Sequence, residues 1–152
     1  MAPVDWLRTV YFNSDGLGAT GSIKRDALVN LIRANHLTAV CETRSNKFDP
    51  ILKEVPGVKC FASEVRDGGR KGQGVAVFVQ SSLADHVSLW RRSSDPHVVW
   101  LRVDKVVWGT EKDVMFGVAY IPHGNSDPDR TTGIHDAYTK LSSDKPWLQA
   151  AL

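Results

Sequence analysis

The order of hydrophobic and polar residues predicts a β-α-β unit at the start of the chain. Residues 7–12 are rich in β-branched and aromatic side chains and predict a first strand, and Leu37–Cys41 predict a second. From Ile23 the apolar residues recur at helical spacing, with Ser22 as a plausible N-cap. The apolar arc of this helix is predicted to consist of Ile23, Ala27, Leu28, Leu31, Ile32 and Ala34.

The rest of the chain favours strands that pair with one another. Residues 57–65 and 72–80 form one predicted pair, and residues 97–103 and 113–121 form another. Four strands in succession without a long helix between them are typical of antiparallel pairing. Pro122 ends the last strand, and Asp127 followed by proline predicts the start of another helix.

Composition limits the class of protein. The 152 residues are 42% hydrophobic, which suffices for one domain with a core, and no apolar run approaches the roughly 18 residues of a membrane span. The net charge of +2 is compatible with a nucleic-acid partner without requiring one. Without a secretory signal, an intracellular protein, nuclear or cytoplasmic, is expected. Cys41 and Cys60 both lie in apolar runs and are expected to be thiols, with a disulfide between neighbouring strands left open.

A glycine-rich segment follows the first predicted strand. Its sequence, Gly16-Leu17-Gly18-Ala19-Thr20-Gly21, matches the G-x-G-x-x-G pattern of dinucleotide-binding loops. Such a fold requires further β-α units, whereas the later segments predict paired strands. We therefore interpret the glycines mainly as the turn between strand and helix, with a dinucleotide site as an alternative.

Three polar residues follow the two strands of the predicted β-α-β unit. Asn13 and Asp15 come after the first strand, and Glu42 comes after the second. Because a crossover places the ends of parallel strands side by side, these side chains are expected to face one crevice. Carboxylate and amide oxygens are the ligands that Mg²⁺ prefers, although ordinary turn residues would give the same pattern.

Several short motifs then occur in an informative order. They are VYFNSDGL, TAVCETR, GQGVAVFVQ, HVVWLRV and GVAYIPH. In this order they resemble the endonuclease/exonuclease/phosphatase superfamily, and most of all its apurinic-site endonucleases and the endonuclease domains of non-LTR retrotransposon reverse transcriptases. The GQGVAVFVQ strand and the Tyr-Ile-Pro ending favour the retrotransposon branch. The likeness runs from about residue 7 to about residue 141.

The resemblance implies an α+β fold, a four-layer α/β/β/α sandwich, and hydrolysis of a phosphodiester with the help of Mg²⁺ (or Mn²⁺). It implies that Glu42 and Asp15 hold the metal ion and that Asn13 and Tyr120 act on the phosphate. DNA, bound through its phosphate backbone, is the implied partner. Arg44 and His123 are candidate phosphate contacts, with a solvated arginine and a surface histidine as the equal alternatives.

Two elements of the family pattern are missing from this sequence. The family completes its site with an Asp-x-Asn segment after a later strand and with an Asp-His pair, and neither is found here. Residues 1–152 are therefore expected to form a single partial domain that lacks the C-terminal strands and has weak nuclease activity or none.

Two alternatives remain open beside the nuclease. One is a non-catalytic module on the same scaffold that binds nucleic acid or protein. The other is a phosphatase of the same superfamily.

Overall fold

The computed structural model describes residues 3–17, 23–65, 72–91 and 95–120, and these ranges form two β-sheets with two α-helices and two short 3-10 helices. The strands are β1 Thr9–Asn13, β2 Leu37–Cys41, β3 Lys59–Ala62, β4 Val75–Val79, β5 Val87–Arg91, β6 Val98–Val103 and β7 Val114–Ala119. The helices are α1 Ile23–Ala34 and the short α2 Asp49–Leu52. The predicted helix after Asp127 lies outside the described residues.

The first sheet has the strand order β1-β2-β4-β3. β1 and β2 are parallel, as the predicted crossover through α1 requires, whereas β4 runs antiparallel to both β2 and β3. Every residue of β2 and β4 is buried, which explains their unbroken apolar sequences. This antiparallel continuation differs from the doubly wound fold that a dinucleotide site would need.

The second sheet has the order β5-β6-β7 and is antiparallel throughout. The predicted pairing of the last two strands is therefore confirmed as β6 with β7. β5 was not predicted, because its sequence VSLWR is short and carries polar residues at two of its five positions. A register shift between Leu89 and Arg91 further interrupts the regular alternation of this strand.

The two sheets share one apolar core. Residues of β2 and β4, including Val75 and Val77, pack with residues of β6 such as Leu101 and Val103, all of them essentially inaccessible to solvent. A second cluster lies where α1 and α2 cover the other face of the first sheet, and Ile32 and Phe78 are among its members. The fold is thus mixed α/β with two sheets, and the fourth layer of the expected sandwich remains a prediction.

Helix α1 uses a narrower apolar face than its sequence pattern predicts. Leu28, Val29 and Ile32 are its buried residues. Ile23, which the periodicity places on the buried arc, is instead 89% exposed, and Ala27 and Ala34 are exposed as well. The helix therefore contacts the sheet through its middle turns and leaves its first residue in solvent.

No helix among the described residues is long and apolar enough to cross a membrane.

Candidate functional site at the strand ends

The carboxyl ends of β1 and β2 bring Asn13 and Glu42 together. The parallel register places Asn13 opposite Cys41, so Glu42 follows directly at the same edge of the sheet. The Asn13 side chain is one of the groups that lower the pKa of the Glu42 carboxylate. The two residues thus lie side by side, as the crossover argument predicts.

Glu42 is a buried carboxylate with several donors around it. Its exposed fraction is 5%; Oε1 accepts a hydrogen bond from the Tyr120 hydroxyl, and Oε2 accepts one from Arg44 Nη2 at 3.1 Å. Burial by itself would raise the pKa of Glu42, but the hydrogen bonds from Tyr120, Arg44 and Asn13 and the guanidinium charge outweigh burial and lower the pKa. Glu42 is therefore held as a carboxylate at neutral pH.

Arg44 joins the two acids of the site. The same Nη2 atom that reaches Glu42 also forms an ion pair with Oδ1 of Asp15. The Asp15 side chain is 76% exposed, whereas that of Glu42 is 7% exposed, so the arginine connects a solvent-facing acid with a buried one. The position of Asp15 is fixed further by its backbone N–H, which donates to Asn13 Oδ1 at 2.9 Å.

Backbone strain is concentrated in the same three residues. Asp15, Glu42 and Arg44 have φ angles of +46°, +51° and +50°, and within the described ranges no other non-glycine residue has a positive φ. Each such conformation costs about 1–2 kcal/mol, so it persists where surrounding contacts enforce it. Strained backbone of this kind is typical of functional sites.

Main-chain hydrogen bonds hold these three residues in their strained conformations. Gly16 N donates to Glu42 O at 2.7 Å, and Arg44 N donates to Gln73 O at 3.1 Å. Gly74 O accepts a hydrogen bond from Thr43 N at 3.2 Å. Gly74 has a φ of +96°, and a Cβ at this position would collide with the Thr43 hydroxyl and lie 3.0 Å from Arg44 N. The segment after β2 is therefore clamped between the turn after β1 and the turn before β4.

Two supporting residues escape sequence analysis. Ser14 is 1% exposed, and its hydroxyl lies 3.1 and 3.0 Å from the carbonyl oxygens of Cys41 and Glu42. Lys24, at the start of α1, points its Nζ at the backbone carbonyls of residues 14–16, the nearest being Ser14 O at 2.9 Å. Both residues are polar and unremarkable in the sequence, and only the fold reveals that they hold the β1–α1 turn.

Tyr120 reaches the site from the second sheet. It follows β7, it is 8% exposed, and its N–H donates to His97 O at 2.9 Å. Five of the six predicted site residues, Asn13, Asp15, Glu42, Arg44 and Tyr120, therefore meet at one edge of the fold. His123 lies outside the described residues.

The oxygen atoms of the site are of the kind that bind divalent metal ions. Glu42 and Asp15 offer hard carboxylate oxygens, and Mg²⁺ accepts one or two carboxylates with water as its remaining ligands. Among the described residues there is no group of three or more histidine, cysteine, aspartate or glutamate side chains that could enclose a metal. The chemistry of the residues fits Mg²⁺ or Mn²⁺ in a half-open site, in which Arg44 now joins the two acids.

Comparison with known proteins places the chain in a fold class. No family model matches the sequence, and no curated protein matches it either. The structure is similar to the crystal structure of the Xenopus laevis APE2 catalytic domain, with a TM-score of 0.57 and 17% sequence identity, covering 89% of this chain and 52% of that one. The chain thus spans about half the length of that solved chain.

Proposed function

We propose that this chain is part of a metal-dependent nuclease domain that hydrolyses phosphodiester bonds in DNA. One observation carries the proposal: an amide after β1 and a phenol after β7 converge on the buried carboxylate of Glu42 after β2, where the backbone is strained. The fold shared with the APE2 catalytic domain supports this class of activity.

The buried and the exposed residues of the site have different proposed roles. Glu42 would hold a divalent ion through its carboxylate, with Asp15 as the solvent-side ligand. When bound, the ion would polarise a phosphate oxygen and stabilise the leaving group. Tyr120 and Asn13 orient the Glu42 carboxylate, and each has a polar group suited to contact a phosphate oxygen.

The finer parts of the proposal rest on the sequence resemblance. We infer that the parent protein is a retrotransposon-like reverse transcriptase that nicks DNA inside the cell. We also infer that residues 1–152 alone have weak activity or none, because the sequence has neither the Asp-x-Asn segment nor the Asp-His pair of the family.

The test measures metal-dependent DNA binding by the 152-residue chain. A labelled DNA duplex is titrated with protein at constant ionic strength, in Mg²⁺ and in EDTA. Tighter binding in Mg²⁺, lost in Glu42→Gln, is the expected result. Equal binding in EDTA and in Glu42→Gln would contradict the metal role and favour the non-catalytic binding module.

A second assay separates nuclease from phosphatase. A phosphate diester and a monoester, bis-p-nitrophenyl phosphate and p-nitrophenyl phosphate, are offered with Mn²⁺. We expect any slow turnover to be of the diester and to disappear in Glu42→Gln. Turnover of the monoester alone would support a phosphatase. The control for a general loss of negative charge is Asp5→Asn, because Asp5 is an exposed acid outside the site.

A further inference from the structure

We propose that Arg44 is a built-in counter-cation that occupies the divalent metal position between Asp15 and Glu42 and must be displaced when the metal ion binds. The inference rests on the proposed function, because it concerns the same site. It adds a gating role to a residue for which sequence analysis suggested a contact with substrate phosphate.

The position of a single nitrogen atom carries the argument. Nη2 of Arg44 pairs with Asp15 Oδ1 and also lies 3.1 Å from Glu42 Oε2. A divalent ion held by these two carboxylates would need the negative charge that the guanidinium neutralises. The guanidinium and a divalent ion therefore compete for one place, since two cations at that distance from each other repel.

The two oxygens of Glu42 differ in how readily they can be released. Oε1 is bound to the hydroxyl of Tyr120, itself 8% exposed, inside the core shared by the two sheets. Oε2 is bound to Arg44, whose side chain is 23% exposed and whose second partner, Asp15, is largely in solvent. An incoming ion can therefore replace Arg44 without disturbing the core.

The guanidinium of Arg44 also does not use all of its hydrogen-bond donors. Nε of Arg44 is buried and has no hydrogen-bond partner among the described residues. A buried donor without a partner weakens the hold of the site on the guanidinium. The positive φ of Arg44 adds backbone strain to the arrangement. Arg44 thus compensates the charge of Glu42 and can be displaced by a divalent ion.

The test compares Mn²⁺ binding by wild type, Arg44→Met and Arg44→Lys at pH 7.5, by calorimetry and by electron paramagnetic resonance of free Mn²⁺. Methionine keeps the apolar stem and removes the charge. We expect Arg44→Met to bind Mn²⁺ about tenfold more tightly, because no ion pair has to be broken, and Arg44→Lys to lie between the two. Arg102→Met removes an Arg–Asp pair on the second sheet and should bind Mn²⁺ like wild type.

The outcomes separate this inference from the proposed function. If Arg44→Met binds Mn²⁺ no more tightly than wild type while Glu42→Gln abolishes binding, the displacement is wrong and the metal site stands. If neither wild type nor Arg44→Met binds Mn²⁺, both the displacement and the metal role are overturned.

A measurement on the wild type covers the case in which Arg44→Met fails to fold. Arginine side-chain ¹⁵N NMR follows the Nη protons of Arg44 during addition of Mg²⁺. We expect restricted rotation of the guanidinium without metal and free rotation at saturation. Signals of Arg44 that stay unchanged at saturating Mg²⁺ would overturn the inference.

Discussion

The hydroxyl of Tyr120 donates a hydrogen bond to the carboxylate of Glu42 across 78 positions of sequence. Glu42 follows β2 in the first sheet, and Tyr120 follows β7 in the second. Both residues are buried. This bond therefore joins the edge of one sheet to that of the other, so the candidate site depends on the packing of the two sheets.

Removing the hydroxyl with Tyr120→Phe should lower the free energy of unfolding by about 1–3 kcal/mol, because a buried carboxylate oxygen loses its partner. It should also raise the pKa of Glu42, since the strongest hydrogen bond holding that pKa down disappears. Urea unfolding measures the first effect, and ¹³C NMR titration of the carboxyl measures the second. Tyr11→Phe is the control, because the Tyr11 side chain is half exposed, so that removing its hydroxyl should cost less. Equal losses in both variants would contradict the special role of Tyr120.

The sequence predicts the parts of this fold that depend on local pattern. Strand β2 was placed at its observed bounds because Leu37–Cys41 is an apolar run with a clear end at Glu42. The meeting of Asn13 and Glu42 follows from the parallel pairing of the strands that precede them. These predictions succeed because strand ends and crossover geometry are set by short stretches of chain.

The role of Arg44 shows where the sequence stops being sufficient. If residues 42–44 continued as an ordinary extended strand, the side chains of Glu42 and Arg44 would point to the same face of the sheet, and Arg44 would not reach Asp15. Their positive φ angles redirect the chain, and those angles depend on hydrogen bonds to Gln73 and Gly74. Contacts between segments thirty residues apart have no signature in local spacing.

Gly74 should be the most sensitive glycine of the site. In Gly74→Ala, a Cβ would collide with the hydroxyl of Thr43 and crowd Arg44 N, at a φ of +96° that other residues rarely adopt. We expect the free energy of unfolding to fall by at least about 2 kcal/mol, because the backbone is strained and the segment around Thr43 and Arg44 has to move. We also expect weaker Mn²⁺ binding, since that segment carries the site.

Gly109→Ala is the matched control for that substitution. Gly109 also has a positive φ, +65°, but an added Cβ would meet mainly a proline side chain at 3.2 Å. Its cost should be close to the conformational strain alone, about 1–2 kcal/mol, without any change in metal binding. If both alanine variants lose the same stability and both bind Mn²⁺ normally, Gly74 has no special role in the site.

Asp113 should make stability depend on pH in the acid range. Lys105 N donates to Oδ1 at 2.8 Å and Arg102 Nε donates to Oδ2 at 2.6 Å, and these bonds lower the pKa of Asp113. Because the folded pKa lies below the unfolded one, the carboxylate stabilises the protein above the unfolded pKa of about 4, and this contribution is lost as pH falls through the folded pKa.

The variant Asp113→Asn should therefore be less stable than wild type at pH 7, and the two should converge as pH falls below about 4. Melting temperatures measured from pH 7 to pH 3 test this expectation. Asp5→Asn removes the same charge at an exposed position and serves as the control. A difference between wild type and Asp113→Asn that stays constant over the whole range would rule out the carboxylate as its cause.

Two sheet edges lie beside each other in the described part of the chain. β1 ends the first sheet, and β7 ends the second. A groove of about 360 Å³ between them is lined by residues of both strands, among them Thr9 and Phe116. Tyr11 on β1 is 52% exposed. Edge strands carry unpaired backbone groups that can pair with another chain.

We therefore expect the 152-residue chain to self-associate at high concentration, and we expect Thr9→Lys to reduce this association. A lysine on the exposed first residue of β1 opposes edge-to-edge pairing, because pairing would bury its charge. Light scattering coupled to gel filtration over a hundredfold concentration range measures the effect. Ser82→Lys, at an exposed turn position after β4, adds the same charge away from the edge and should leave association unchanged. A wild-type protein that remains monomeric and melts cooperatively at the highest concentration would show that these edges are not available for pairing.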